Sequence, residues 1–112
     1  MKESIQYEPD KWVILKVNNK DEIVYKVLAG WSGSYLYGSS WKLNSGITKI
    51  DKKDNFYLFE GYTGSVYKCR FNSYGFNGIT ASTLDSFQKQ IENIDNVTIE
   101  VLEYKEIDDL VI

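Results

Sequence analysis

The 112-residue chain contains no histidine, and cysteine, proline and arginine each occur once. Without histidine, no side chain has an ordinary pKa close to neutrality, and Ser-His or Cys-His catalytic pairs are excluded. The single Cys69 excludes an internal disulfide and a zinc site built from several cysteines. An enzyme would therefore need carboxylates, tyrosines or a metal for its acid–base steps. The sequence pattern does not bring such groups together at one predicted site. We expect a protein that binds a ligand or a partner without catalysing a reaction, and that uses no cofactor and no metal.

The sequence also lacks an excess of basic residues and a long apolar run. Its formal net charge is −3, which argues against broad binding to a nucleic-acid backbone. No stretch approaches the ~20 apolar residues of a membrane-spanning helix, and the first ten residues show no apolar core of a signal peptide. We expect a cytoplasmic protein with no membrane partner, folded as a single domain over residues 1–112. Its segment 105–112 frames a sheet edge, docks on the body or forms a flexible tail.

Alternating apolar residues predict about six β-strands in this chain. Residues 11–17 and 22–28 flank a polar turn, which predicts a β-hairpin. On the first of these strands, Trp12 and Ile14 face one side, and Val13 and Leu15 face the other. Shorter runs predict further strands at 47–51, 56–61, 65–71 and 97–104, and the glycine-rich segment 29–46 leaves a seventh strand at 40–43 open.

The segment 82–95 has the spacing of an amphipathic helix. Its apolar residues recur every three or four positions, at Leu84, Phe87, Ile91 and Ile94. Ser82, followed by Asp85 three residues later, resembles an N-cap with an acid in the first turn. One late helix among strands predicts an α+β fold, with a curved antiparallel sheet of about six strands and the helix on one face. A small open barrel is the alternative.

Two five-residue segments match in residue class at every position. They are Gly30-Trp31-Ser32-Gly33-Ser34 and Gly61-Tyr62-Thr63-Gly64-Ser65, and each follows a predicted strand. One interpretation is a duplicated strand–loop–strand unit whose two loops lie close together. The other is coincidence, because Gly, Ser and Tyr are common in β-connections.

These two loops carry the chemistry of a site for a flat ligand. Glycine lets the backbone approach a ligand and turn successive N–H groups into one concavity. Hydroxyl groups add hydrogen bonds, and aromatic rings add faces for stacking. Alternatively, the loops are tight turns and their rings belong to the core. The binding hypothesis predicts a nucleotide-type pocket formed by Trp31, Ser32, Gly33, Ser34, Trp41, Asn44, Tyr62, Thr63, Gly64, Ser65, Tyr67 and Arg70.

Arg70 and Lys68 share a face of the predicted strand 65–71. Arg70 is the only arginine, and its planar guanidinium suits a phosphate or a carboxylate. The alternative is a surface ion pair with Glu60. Cys69 falls on the opposite face of the strand, where we expect a buried, unreactive thiol.

Residues 25–47, YKVLAGWSGSYLYGSSWKLNSGI, and residues 61–69, GYTGSVYKC, resemble a group of small bacteriophage and prophage proteins. The resemblance covers about half of the chain and assigns no role to any residue. It implies an infected bacterial host and a counter-defence role, in which a nucleotide-like signal is sequestered. Alternatives are an inhibitor of a defence effector, of the anti-CRISPR or anti-restriction type, and a structural virion or assembly protein. The expected partner is a small ligand or a host defence protein, and a homo-oligomer remains open.

Overall fold

The computed structural model describes residues 5–33 and 38–110, which form eight strands, one α-helix and two short 3-10 helices. The strands are β1 (Gln6–Tyr7), β2 (Lys11–Asn19), β3 (Glu22–Trp31), β4 (Ser40–Leu43), β5 (Ile47–Lys52), β6 (Phe56–Gly61), β7 (Val66–Arg70) and β8 (Val97–Val101). Helix α1 is Gly78–Ile91, and the 3-10 helices are Phe71–Ser73 and Tyr104–Asp109. The hairpin predicted at 11–28 is confirmed as β2 and β3.

The strands form two four-stranded sheets where one curved sheet was expected. The outer sheet has the order β1-β7-β6-β5, and the central sheet has the order β4-β3-β2-β8. In each sheet three consecutive strands form an antiparallel meander, and one strand from elsewhere in the chain extends an edge. The α+β class is confirmed, and the described strands close no barrel.

The central sheet is covered on both faces, which explains the apolar run in β2. Trp12 and Ile14 pack against the outer sheet in one core cluster. Val13 and Leu15 pack in a second cluster with residues of α1. All four side chains are at most 1% exposed. A strand buried on both faces reads as a continuous apolar segment, and this one lies between a sheet and a helix.

Helix α1 begins and ends four residues earlier than the sequence predicts. Its N-cap is Asn77, whose side chain accepts from the Thr80 N–H while the Thr80 hydroxyl accepts from the Asn77 N–H, both at 3.0 Å. Ser82, the predicted cap, lies inside the helix and donates to the Ile79 carbonyl. The reciprocal cap satisfies two N–H groups at the helix start, and this fixes the boundary.

The segment after β8 docks on the body as far as the structure describes it. Ile107 is 2% exposed and belongs to the core between the two sheets. Next to it, Asp108 accepts hydrogen bonds from the Tyr57 hydroxyl at 2.5 Å and from Lys52 Nζ at 3.0 Å. Residues 111 and 112 of the predicted tail lie outside the described residues.

Asp108 makes the stability of the fold sensitive to acid. The hydrogen bonds from Tyr57 and then from Lys52 lower its pKa below the ordinary 3.8. A lowered folded-state pKa gives stabilisation that is complete above the unfolded-state pKa and is lost as the pH falls through the folded-state pKa. We expect Asp108→Asn to flatten the fall in melting temperature between about pH 5 and pH 2.

The neighbouring Asp109→Asn is the matched control for this measurement. Asp109 forms no ion pair among the described residues. Its removal should leave the slope of melting temperature against pH unchanged. Equal slopes for wild type and Asp108→Asn would contradict the assignment.

Candidate functional site

A groove of about 250 Å³ lies where the β4–β5 connection meets the β6–β7 turn. We call it the corner groove, and its lining comes from both sheets. Most of its lining side chains are small or polar, as expected for a hydrogen-bonding site. The lining residues are Tyr7, Lys42, Leu43, Asn44, Ser45, Gly61, Thr63, Ser65 and Tyr67.

Asn44 anchors the wall of the corner groove. Its backbone N–H donates to the Val27 carbonyl at 3.0 Å, and its side-chain Oδ1 accepts from the Val27 N–H at 2.8 Å. Asn44 is only 3% exposed, and its Nδ2 has no acceptor among the described residues. A buried donor without a partner costs about 1–3 kcal/mol. The fold therefore places an unused amide donor beside the groove.

The β6–β7 turn closes tightly over this amide. Gly61 N donates to the Ser65 carbonyl at 3.0 Å, and Gly64 N donates to the Gly61 carbonyl at 2.9 Å. Gly64 has φ +88°, a conformation that favours glycine. A methyl group at Gly61 would lie 2.7 Å from Ser45 Oγ and 3.1 Å from Asn44 Nδ2. Glycine at position 61 therefore leaves the space next to the unpaired donor.

One cation and a cluster of rings border the corner groove. Lys42 is the only charged residue in its described lining, and Lys42 Nζ lies 5.0 Å from the Tyr7 ring centroid. The rings of Tyr7 and Tyr67 lie 5.1 Å apart, and Trp31 meets Tyr7 edge-on at 6.2 Å. Burial raises the pKa of Tyr67 to about 12. The Tyr67 hydroxyl is neutral at physiological pH, and the described lining carries the single positive charge of Lys42.

The structure brings some predicted site residues together in this groove. Those that line it directly are Asn44, Thr63, Ser65 and Tyr67. Gly64 shapes the turn that carries Thr63 and Ser65. Trp31 borders the ring cluster through Tyr7.

Trp41 and Arg70 lie elsewhere. Trp41 packs edge-on against Phe87 of α1, with 5.6 Å between ring centroids, because alternation along β4 sends it to the helix side. Arg70 lies at the far end of β7 and forms an ion pair with Glu8, not with the expected Glu60. The hydrogen bond from Arg70 lowers the pKa of the Glu8 carboxyl. Arg70 thus already holds a carboxylate.

The remaining predicted residues lie outside the corner groove lining. The Ser32 N–H donates to Asp10 at 2.9 Å, and Gly33 turns with φ +69° at the base of its loop. Tyr62 is 70% exposed, and its ring lies over Gly46. Ser34 lies outside the described residues. Among these residues, then, the second five-residue segment lines the groove and the first contributes only Trp31 at its border.

Sequence reasoning missed five lining residues, namely Tyr7, Lys42, Leu43, Ser45 and Gly61. Tyr7 reaches the groove because the two-residue β1 pairs in parallel with β7, a pairing with no local sequence signal. Lys42 had a usable signal, since alternation places it on the opposite side of β4 from Trp41.

The described lining of the corner groove holds no carboxylate, histidine or cysteine. Cys69 is fully buried in the core, and desolvation raises its pKa well above the ordinary value, as expected for an unreactive thiol. Among residues 5–33 and 38–110, no three histidine, cysteine, aspartate or glutamate side chains cluster as metal ligands. Within the same part of the chain, no helix combines the length and apolar character needed to cross a bilayer.

The chain matches no protein-family model, no curated protein and no solved structure.

Proposed function

We propose that the protein binds, without transforming it, a small anionic ligand that carries a flat ring and belongs to the nucleotide class. The ligand occupies the corner groove. The observation that carries this proposal is the buried Nδ2 of Asn44, which has no acceptor among the described residues. Nδ2 is itself buried, so a ligand oxygen or ring nitrogen would reach it only with a small shift of the groove wall, and would then supply the missing acceptor and recover the cost of the unpaired donor.

The other lining groups complement the same ligand. The hydroxyl groups of Ser45, Thr63 and Ser65 and the ammonium group of Lys42 supply donors for an acceptor-rich anion. The tyrosine rings at positions 7 and 67 offer apolar surface for a planar ring. The described lining includes no carboxylate to repel an anion or to act as a general base. These features support binding over catalysis.

The size of the corner groove limits the ligand. Pockets for drug-sized molecules usually enclose ~300–1,000 Å³, and this groove offers about 250 Å³. That volume suits a mononucleotide-sized molecule, or one ring and one phosphate of a larger one. The resemblance to bacteriophage proteins suggests a role for such binding, in which the protein withdraws a nucleotide-type defence signal from the infected cell.

A thermal-shift titration tests this proposal directly. The panel contains mononucleotides, cyclic nucleotides and ADP-ribose. A ligand present at ~100 times its Kd should stabilise the fold by about 2.7 kcal/mol, which appears as a higher melting temperature. Asn44→Asp keeps the acceptor for the Val27 N–H and replaces the Nδ2 donor by an oxygen. We expect it to weaken ligand binding by about tenfold or more.

Asn77→Asp is the matched control for this variant. Asn77 Nδ2 is also buried without an acceptor among the described residues, but it lies at the N-cap of α1. This variant should bind like wild type, whereas Lys42→Gln should weaken binding and reduce its salt dependence. If no compound in the panel raises the melting temperature, or if Asn44→Asp and Asn77→Asp bind alike, the proposal fails.

A further inference from the structure

The edge strand β8 presents free backbone groups on one side. At one end the Leu102 N–H donates to the Ile14 carbonyl at 2.9 Å, and at the other the Asn96 carbonyl accepts from the Lys20 N–H at 2.7 Å. Even-numbered residues of this segment therefore face β2. Backbone groups alternate in direction along an antiparallel strand, so odd-numbered residues face outward. The outward groups belong to Val97, Ile99 and Val101, and β8 has no second strand neighbour among the described residues.

A side chain already imitates a strand neighbour at this edge. Gln88 of α1 donates its Nε2 hydrogen to the Ile99 carbonyl at 2.8 Å. An added strand would place a backbone N–H in the same position, and exposed strand edges readily accept such a partner. The single amide contact occupies one carbonyl and leaves the rest of the edge available.

A groove of about 660 Å³ lies between α1 and β8, and we call it the edge groove. Its floor is apolar and comes from both elements and the turn between them, at Ile91, Ile94, Val97 and Ile99. Ile94 is 53% exposed, and Val101 farther along β8 is 36% exposed. Single exposed apolar side chains are common on protein surfaces. Ile94 and Val101, however, continue an apolar stripe that α1 and β8 bury only in part.

The charged lining of the edge groove is mainly acidic. It contains the carboxylates of Asp85, Glu92 and Glu100 and the ammonium group of Lys89. Lys89 pairs with Asp85 at 3.1 Å. Neither Glu92 nor Glu100 joins an ion pair among the described residues. The charge of the groove therefore complements basic side chains.

We propose that an extended segment of another protein, in which basic residues alternate with apolar ones, adds to β8 as a new strand. Its backbone pairs with the outward groups of β8 and displaces Gln88 from the Ile99 carbonyl. Its apolar side chains cover the floor beside α1, and its basic side chains, on the opposite face of the new strand, lie next to Glu100, with Glu92 adding to the negative charge of the groove. This recognition mode takes affinity from backbone hydrogen bonds and specificity from alternate side chains. The site lies at the β8 edge of the central sheet, and the corner groove lies at the opposite β4 edge.

Peptide binding to the full chain tests this proposal. The probe is a capped heptapeptide of alternating lysine and valine. Its binding is monitored through the amide chemical shifts of the protein. A second peptide has the same sequence with N-methylated valines, so it keeps the charge and loses half of the backbone donors. A third replaces lysine by glutamate. We expect the first peptide to shift β8 and the second half of α1 and to bind about tenfold or more tightly than the other two.

A charge-reversed variant distinguishes binding at the β8 edge from non-specific attraction between opposite charges. Glu92→Lys combined with Glu100→Lys should lose at least about tenfold in affinity for the lysine peptide and gain affinity for the glutamate peptide. Asp54→Lys combined with Glu60→Lys makes the same charge change away from the groove and should bind the lysine peptide nearly as wild type does. Equal binding of the N-methylated peptide, equal losses in the two variants, or shifts spread over the outer sheet would each overturn the proposal.

Discussion

Replacing Trp12 by alanine is expected to lower the free energy of unfolding by about 3–5 kcal/mol. Trp12 is fully buried between the two sheets. Its ring contacts Tyr74, Phe59 and Tyr57, with centroids 4.7, 5.6 and 6.1 Å away. Its Nε1 donates to the Arg70 carbonyl at 2.7 Å. Alanine would leave a cavity at the centre of the fold and remove a hydrogen bond that joins the sheets.

Urea denaturation, monitored by circular dichroism, measures this loss in the free energy of unfolding. Two further variants show which interactions cause it. Trp12→Phe keeps a ring but leaves the Arg70 carbonyl unpaired, so we expect an intermediate loss of about 1–3 kcal/mol. Trp41→Ala is the control for removing a tryptophan, because Trp41 is 41% exposed and its recorded ring contact is with Phe87. A loss for Trp41→Ala as large as that for Trp12→Ala would contradict the central position of Trp12.

The second large effect is expected at Gly30, where α1 meets the central sheet. A methyl group at this position would lie 2.6 Å from Thr80 Cγ2 and 2.8 Å from Asn77 Oδ1. Both residues form the reciprocal cap of α1, so neither side chain can move without breaking a hydrogen bond. We expect Gly30→Ala to reduce the free energy of unfolding by about 1–3 kcal/mol, because the helix start must shift away from the sheet.

Gly78→Ala makes the same chemical change with the opposite expected sign. Gly78 is the first residue of α1, and an added methyl group would contact nothing within 4 Å. Alanine is the better helix former by about 0.5–1 kcal/mol. Urea midpoints of the two variants should therefore fall on opposite sides of wild type. If Gly30→Ala is as stable as Gly78→Ala, the close approach of α1 to Gly30 is wrong.

Local patterns in the sequence were sufficient for most of the strands. The hairpin of β2 and β3 follows from alternating apolar residues on either side of a polar turn, and both signals act over a few residues. The sequence predicted the helix but placed both of its ends four residues too late in the chain. Its apolar stripe extends to Ile94, which lies beyond the helix end, and the cap at Asn77 was not recognised.

The surfaces proposed for binding were less accessible to sequence reasoning, because they depend on contacts between distant residues. Thr63, Ser65 and Asn44 were found from glycine-rich motifs, and they do line the corner groove. Arg70 was assigned to the same site, but Glu8, 62 positions away in the chain, holds it at another end of the sheet. Tyr7 carried no motif and enters the groove through a two-residue parallel pairing.

The sequence by itself determined the fold class of this protein, because the spacing of apolar residues over short segments indicates the order of the strands and the helix. It also excluded His-based catalytic pairs and a zinc site built from several cysteines, since the chain has no histidine and one cysteine. Only the tertiary structure decided that the strands divide into two sheets, and that, among the described residues, Asn44 Nδ2 lacks an acceptor in the wall of a groove and β8 has one side without a strand neighbour. The physical reason is that these features arise from packing between segments far apart in the chain, which no local pattern encodes.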